Sequence, residues 1–121
     1  MLTIAAPGVV IVRAERRFIA THTSLVTARL SETAGTLHLF IDFSALLSYE
    51  SASRTLATDW CAENRDRLAA LHIVSKPGLV AMGAATAVMT LSLLGLRTES
   101  YSDEALFAEA VKAAETASRH S

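Results

Sequence analysis

A layered α/β domain, with a mostly parallel sheet of about four to five strands and about four helices, is the fold this sequence predicts. Three observations carry that expectation. Apolar, β-branched runs such as VVIVR and LHLFIDF read as strands. Stretches with helical spacing follow them in alternation. The LHLFIDF run alternates poorly, as a central parallel strand buried on both faces should.

Residues 2–5 read as a short strand, and Pro7-Gly8 turns the chain. Residues 9–13 are the second strand, continuing extended toward Phe18. The two strands form a hairpin at the antiparallel edge of the sheet. Residues 23–34 read as a helix, with Leu25, Val26 and Leu30 at helical spacing. Thr21 or Thr23 caps its start and Gly35 ends it. Residues 37–43 are the next strand.

Residues 51–70 form the clearest amphipathic helix, with Leu56, Ala57, Trp60, Cys61 and Leu68 as its stripe. Glu63 and Arg67 stand four apart on its wet side. Residues 71–74 are a strand, and Pro77-Gly78 breaks the chain before an uncharged helix over 79–94. Residues 97–101 make a last short strand. Ser102 caps the final helix, whose first turn holds Asp103 and Glu104, where negative charge suits the helix dipole. Leu106, Phe107, Ala110 and Val111 form that helix's buried stripe.

A length of 121 residues fits a single domain over residues 1–121. Hydrophobic residues at 51% against 19% charged exclude a disordered chain. Eleven Lys and Arg against twelve Asp and Glu give no overall drive toward nucleic acid or an acidic membrane. Cys61, the single cysteine, excludes an intrachain disulfide and fits a reducing, cytoplasmic setting. The N-terminus is apolar first and basic later, the reverse of a secretory signal. Residues 79–96 carry no charge but are short against the roughly 20 apolar residues of a membrane span. They read as a covered helix without stable membrane insertion. A helix with no polar face must be covered on most sides, by its own sheet or by a partner chain.

Function in parallel sheets gathers where strands end and helices begin. The richest such place is 42–54, with Asp42, Tyr49, Glu50, Arg54 and four serines. Ser51 stands at a helix N-terminus, where unpaired N–H groups and the dipole favour an anion such as a phosphoserine. The structural alternative is that Ser51 caps the helix. Asp42 suits an Asx-type bond to its loop, and Arg54 is either solvated or paired with Glu50.

Here the sequence resembles the STAS domain, the family of bacterial anti-sigma factor antagonists. The family pattern runs Asp-Leu-Ser, a short apolar stretch, Asp-Ser-Ser/Ala/Thr-Gly and a helix. Asp42-Phe43-Ser44 matches the first part, and Glu50-Ser51-Ala52-Ser53 falls in register on the second. The terminal segment RTESYSDEALFAEAV is similar to the family's last strand, loop and helix. The resemblance implies a non-enzymatic, STAS-like regulatory module that binds an anti-sigma factor or related kinase. Its switch would be phosphorylation of the serine after the acidic residue, here Ser51. Asp42, Tyr49, Glu50, Ser53 and Arg54 would form the partner-binding edge. The chain departs from the pattern where Glu50 replaces Asp, Ser53 replaces Gly, and Arg54 replaces an apolar residue. Arg16-Arg17-Phe18 likewise replaces an early Gly-x-Leu.

Other constellations are weaker. A phospho-receiver domain needs an acidic pair after its first strand, and none follows residues 9–13. His22, His38, His72 and His120 lack metal-ligand spacing, and Cys61 lies on an apolar stripe, so no metal or cofactor is expected. His38 and His72 read as hydrogen-bonded strand residues. Arg13, Arg16 and Arg17 form a small basic cluster that reads as a solvated strand face, not a nucleic-acid site. No nucleophile–base pair assembles from the sequence. Two further readings stand beside the regulatory one. One is a carrier of a small apolar ligand or lipid, or a membrane-surface protein. The other is a homodimer sealed through helix 79–94.

Overall fold

A computed structural model describes residues 1–120 of the chain. The element order is β1 (Leu2–Ala6), β2 (Val9–Arg13), β3 (Arg16–Phe18), α1 (Ala20–Glu32), β4 (Leu37–Phe43), β5 (Leu46–Tyr49), α2 (Ser51–Glu63), a 3-10 turn (Arg65–Arg67), β6 (Leu68–Ser75), α3 (Leu79–Leu93), β7 (Thr98–Tyr101) and α4 (Glu104–Arg119). The main sheet has the order β1-β2-β4-β6-β7, and only the β1–β2 edge pair is antiparallel. This is the α/β class expected, with four helices and a mostly parallel five-stranded sheet.

Connection geometry explains the layers. The crossovers β2 to β4, β4 to β6 and β6 to β7 all step the same way across the sheet. With one handedness, steps in one direction must lay their helices on one face. Accordingly Leu30 of α1, Cys61 of α2 and Leu91 of α3 share a core with Val10, Val12, Leu37, Leu39, Leu71 and Ile73. The opposite face is left to α4, whose Phe107 packs with Ala6, Val9, Phe40 and Val74. Strand pairing keeps the two sets apart: Val9 pairs with His38 and Val10 with Leu39, so alternate residues face opposite layers.

The chain departs from the sequence expectations at several joints. The second strand does not run on to Phe18. It stops at Arg13, and β3 leaves to pair in parallel with β5 as a separate two-stranded sheet. The change of direction passes through Arg16, a non-glycine residue at φ +60°, in the left-handed region that glycine enters without cost. Arg16 stands where the pattern quoted above has glycine.

The sequence shows no strand between residues 43 and 51, yet β5 forms there; four residues paired with a three-residue strand carry too little periodicity to read. Helix α1 begins at Ala20, so neither Thr21 nor Thr23 is its cap, and Thr33 rather than Gly35 ends it. Helix α2 ends at Glu63, short of the residue 70 that its apolar spacing predicts, and β6 takes up residues 68–70. Glu63 and Arg67 are therefore not a helical pair. The Arg67 guanidinium instead donates to the carbonyls of Leu30 and Thr33 at the end of α1. Asp103, not Ser102, caps α4, its carboxylate accepting from the Ala105 N–H at 2.8 Å. Leu25, Leu56 and Leu106 have the spacing of buried stripes yet lie exposed. A helix docked on one flat sheet buries a stripe narrower than its apolar arc.

Candidate functional site

The carboxyl ends of β3 and β5 bring the N-termini of α1 and α2 together, and Glu50 joins them. Its backbone N–H donates to the Phe18 carbonyl at 3.0 Å. Its own carbonyl accepts from Ser53 N at 3.0 Å, opening α2. Its carboxylate turns back and accepts from the Ala20 N–H at 2.8 Å, the first residue of α1. A negative group there satisfies an orphan donor and meets the positive end of the α1 dipole. Glu50 is thus the N-cap residue of α2 by backbone and the acceptor for α1 by side chain.

Ser53 completes the joint. It is fully buried, and its hydroxyl donates to the Phe18 carbonyl at 3.0 Å. A partner docking on the outside does not reach it, so the expected recognition role at Ser53 gives way to a structural one. Asp42 orders its own loop: one carboxylate oxygen accepts from Ser44 N at 2.9 Å and Ser44 Oγ at 2.6 Å. Its other oxygen stands 3.4 Å from Arg13 Nε. Arg54 does not pair with Glu50, whose carboxylate is committed to Ala20. Arg54 is half-buried, and its guanidinium has no ion pair among the described residues.

Ser51 differs from its neighbours. It is the first residue inside α2 and is exposed, while the cap position belongs to Glu50. It therefore does not cap the helix. Beside it an open groove runs between β5, the start of α2 and α3, lined by Leu47, Tyr49, Ser51, Arg54, Met82 and Thr86. The half-buried Tyr49 ring closes the inner end against α3. A Cβ on Gly83 would overlap the Tyr49 hydroxyl oxygen, so glycine there is what admits the ring.

Past the groove the outer side of α3 is apolar and bare. Leu79, Met82, Met89 and Leu93 are each exposed by 66% or more, and Leu47 of β5 by 81%. The uncharged run flagged this helix in the sequence. The adjacency of that face to Ser51 was not legible, because β5 was unread.

Two other features bound the chemistry. Between the sheet, α2 and α3 lies an apolar cavity of about 60 Å³, walled in part by Cys61, Leu91 and Phe43. Burial pushes the Cys61 thiol up to about 12, so it stays a protonated, unreactive thiol. Among the described residues no three His, Cys, Asp or Glu side chains gather as a metal site. No helix there is long and apolar enough to cross a membrane. No family model, curated protein or solved structure matches the chain.

Proposed function

We propose that this chain is a non-enzymatic, protein-binding regulatory module of the anti-sigma factor antagonist type, switched at Ser51. One observation carries the reading. Ser51 is exposed, has no capping duty, and borders an apolar surface formed by β5 and the outer side of α3. Exposed apolar area of that kind marks interaction sites. A phosphate on Ser51 would add nearly two negative charges to the rim of the groove. The first-turn N–H groups of α2 and the unpaired Arg54 favour it there. The Glu50 carboxylate is already engaged by the Ala20 N–H. The same surface would then meet a partner with its apolar half unchanged and its charged rim reversed.

The apolar-carrier reading is less well supported. A cavity of about 60 Å³ is small against the roughly 300–1,000 Å³ of ligand pockets. A homodimer through α3 draws on the same exposed leucines and methionines and competes with the partner for them.

Capture from native lysate with four baits tests the proposal: wild type, Ser51→Ala, Ser51→Asp and Met82→Glu. The proposal expects one protein retained by wild type and Ser51→Ala and lost from the other two. Identical captures by Ser51→Ala and Ser51→Asp would refute the switch. A wild-type protein that sediments as a dimer, and a Met82→Glu variant that sediments as a monomer, would replace the partner by a second copy.

A further inference from the structure

Charge is unevenly spread along this nearly neutral chain. Residues 1–30 hold four arginines against one glutamate, while the rest hold seven basic and eleven acidic residues. The fold concentrates the excess further. Arg13 at the end of β2, Arg17 of β3, and His22 and Arg29 of α1 line one groove. Glu15 is the acidic residue among its walls. Arg17 and Arg29 are exposed and have no ion pair among the described residues. Arg13 is tied to Asp42 at 3.4 Å, yet its side chain is still 63% exposed. Cations held on facing walls raise the local potential and attract an anionic group into the cleft.

The floor specifies more than charge. Leu2 and Val26 are half-buried in the groove's lining, and Leu25 stands 64% exposed on α1. An occupant must therefore bring apolar side chains as well as carboxylates. Nucleic acid fits poorly, because single strands need exposed aromatic faces for stacking. Phe18, the aromatic ring of this groove other than His22, is only 8% exposed.

We propose that the groove between β2, β3 and α1 is a docking site for an acidic segment of a partner protein that also carries leucine or phenylalanine side chains. The site is separate from Ser51 and does not rest on the switch described above.

The probe is a short fluorescein-labelled peptide of repeating Asp-Glu-Leu units, followed by anisotropy. Binding to the full chain is expected to weaken with added salt and to fall about tenfold or more in the Arg17→Glu/Arg29→Glu double variant. Both positions are exposed, so circular dichroism of that variant should match wild type. A repeating Asp-Glu-Ser peptide should bind more weakly, and Lys112→Glu, at an exposed position on α4, should leave the affinity unchanged. The proposal is overturned if the acidic peptide does not bind, or if the double reversal leaves its affinity intact. It also fails if an oligothymidylate binds as tightly as the peptide.

Discussion

The two faces of the sheet are covered in opposite ways. One face has a single helix, α4, and its contacts close on themselves. Phe107 meets Phe40 and Tyr101 edge-on, each at 5.7 Å, and His72 stacks on Phe40 at 4.3 Å. The outward positions of α4 include Glu109, Lys112 and Thr116, which suit water. The other face has three helices and the larger core, yet it retains a cavity of about 60 Å³. Its helix α3 turns Met89 and Leu93 outward with nothing over them. More cover has left more apolar surface. A helix that is apolar all round stabilises the sheet with one side only, and its other side is available for association.

The sharpest way to break this comparison is to empty each core once. Phe40 is fully buried and is held by rings on two sides. Phe40→Ala should cost about 3–5 kcal/mol in urea denaturation. Leu91→Ala, beside the existing cavity, should cost less, about 2–3 kcal/mol, near the low end for such truncations. If Leu91→Ala proved the more damaging, the α4 face would not be the tighter one.

The next contrast is within a single turn. Ser51 and Ser53 are two residues apart, one exposed and one fully buried. Ser53→Ala removes the bond to the Phe18 carbonyl, which keeps its bond from Glu50 N, and should cost about 1 kcal/mol. Ser51→Ala should stay within about 0.5 kcal/mol of wild type in the same urea titration. Equal losses would mean that Ser51 supports the helix after all and is not free to act as a switch.

That contrast also measures how far the sequence can be read. The main sheet was legible because LHLFIDF and VVIVR carry strong local signals. The motif at 42–54 was legible as a place, but not residue by residue. Glu50 answers to Phe18 and Ala20, and Ser53 to Phe18, all thirty or more residues earlier in the chain, and no local pattern encodes such bonds. Asp42 was legible because its bonds reach only to Ser44. Strand β5 and the basic groove were missed for one reason. Both depend on β3 leaving the main sheet at Arg16, a turn made by an arginine where sequence reading looks for glycine.

A smaller effect should appear with pH on the α4 face. His72 Nδ1 is hydrogen-bonded to the Tyr101 hydroxyl at 2.9 Å, between the Phe40 and Tyr101 rings. Burial lowers its pKa below 6.5; Glu99 opposes that shift, while His38 and Arg97 reinforce it. Folded His72 is thus neutral where the unfolded chain begins to bind a proton. The stability it contributes is complete above about pH 6.5 and is lost as pH falls through the lower, folded value. Urea midpoints between pH 7.5 and 5.5 should decline in wild type. In His72→Gln, which keeps a polar partner for Tyr101, the decline should flatten. An unchanged slope would place the titrating group elsewhere.

The smallest expected change tests the other half of the comparison. Met89 and Leu93 are 66% and 83% exposed, on the side of α3 that touches neither sheet nor neighbour helix. If that side contributes nothing to the fold, Met89→Gln and Leu93→Gln should each move the urea midpoint by the equivalent of about 0.5 kcal/mol or less. Polar replacements remove apolar area without adding charge, so a fall in stability could not be ascribed to repulsion. A loss near 2 kcal/mol would show that these residues are covered in solution, and that the protein melts as an assembly. The midpoint would then rise with protein concentration, because a folded assembly is favoured by mass action and a folded monomer is not. A neutral result at every concentration leaves the face bare in the free protein, as the proposed partner surface requires.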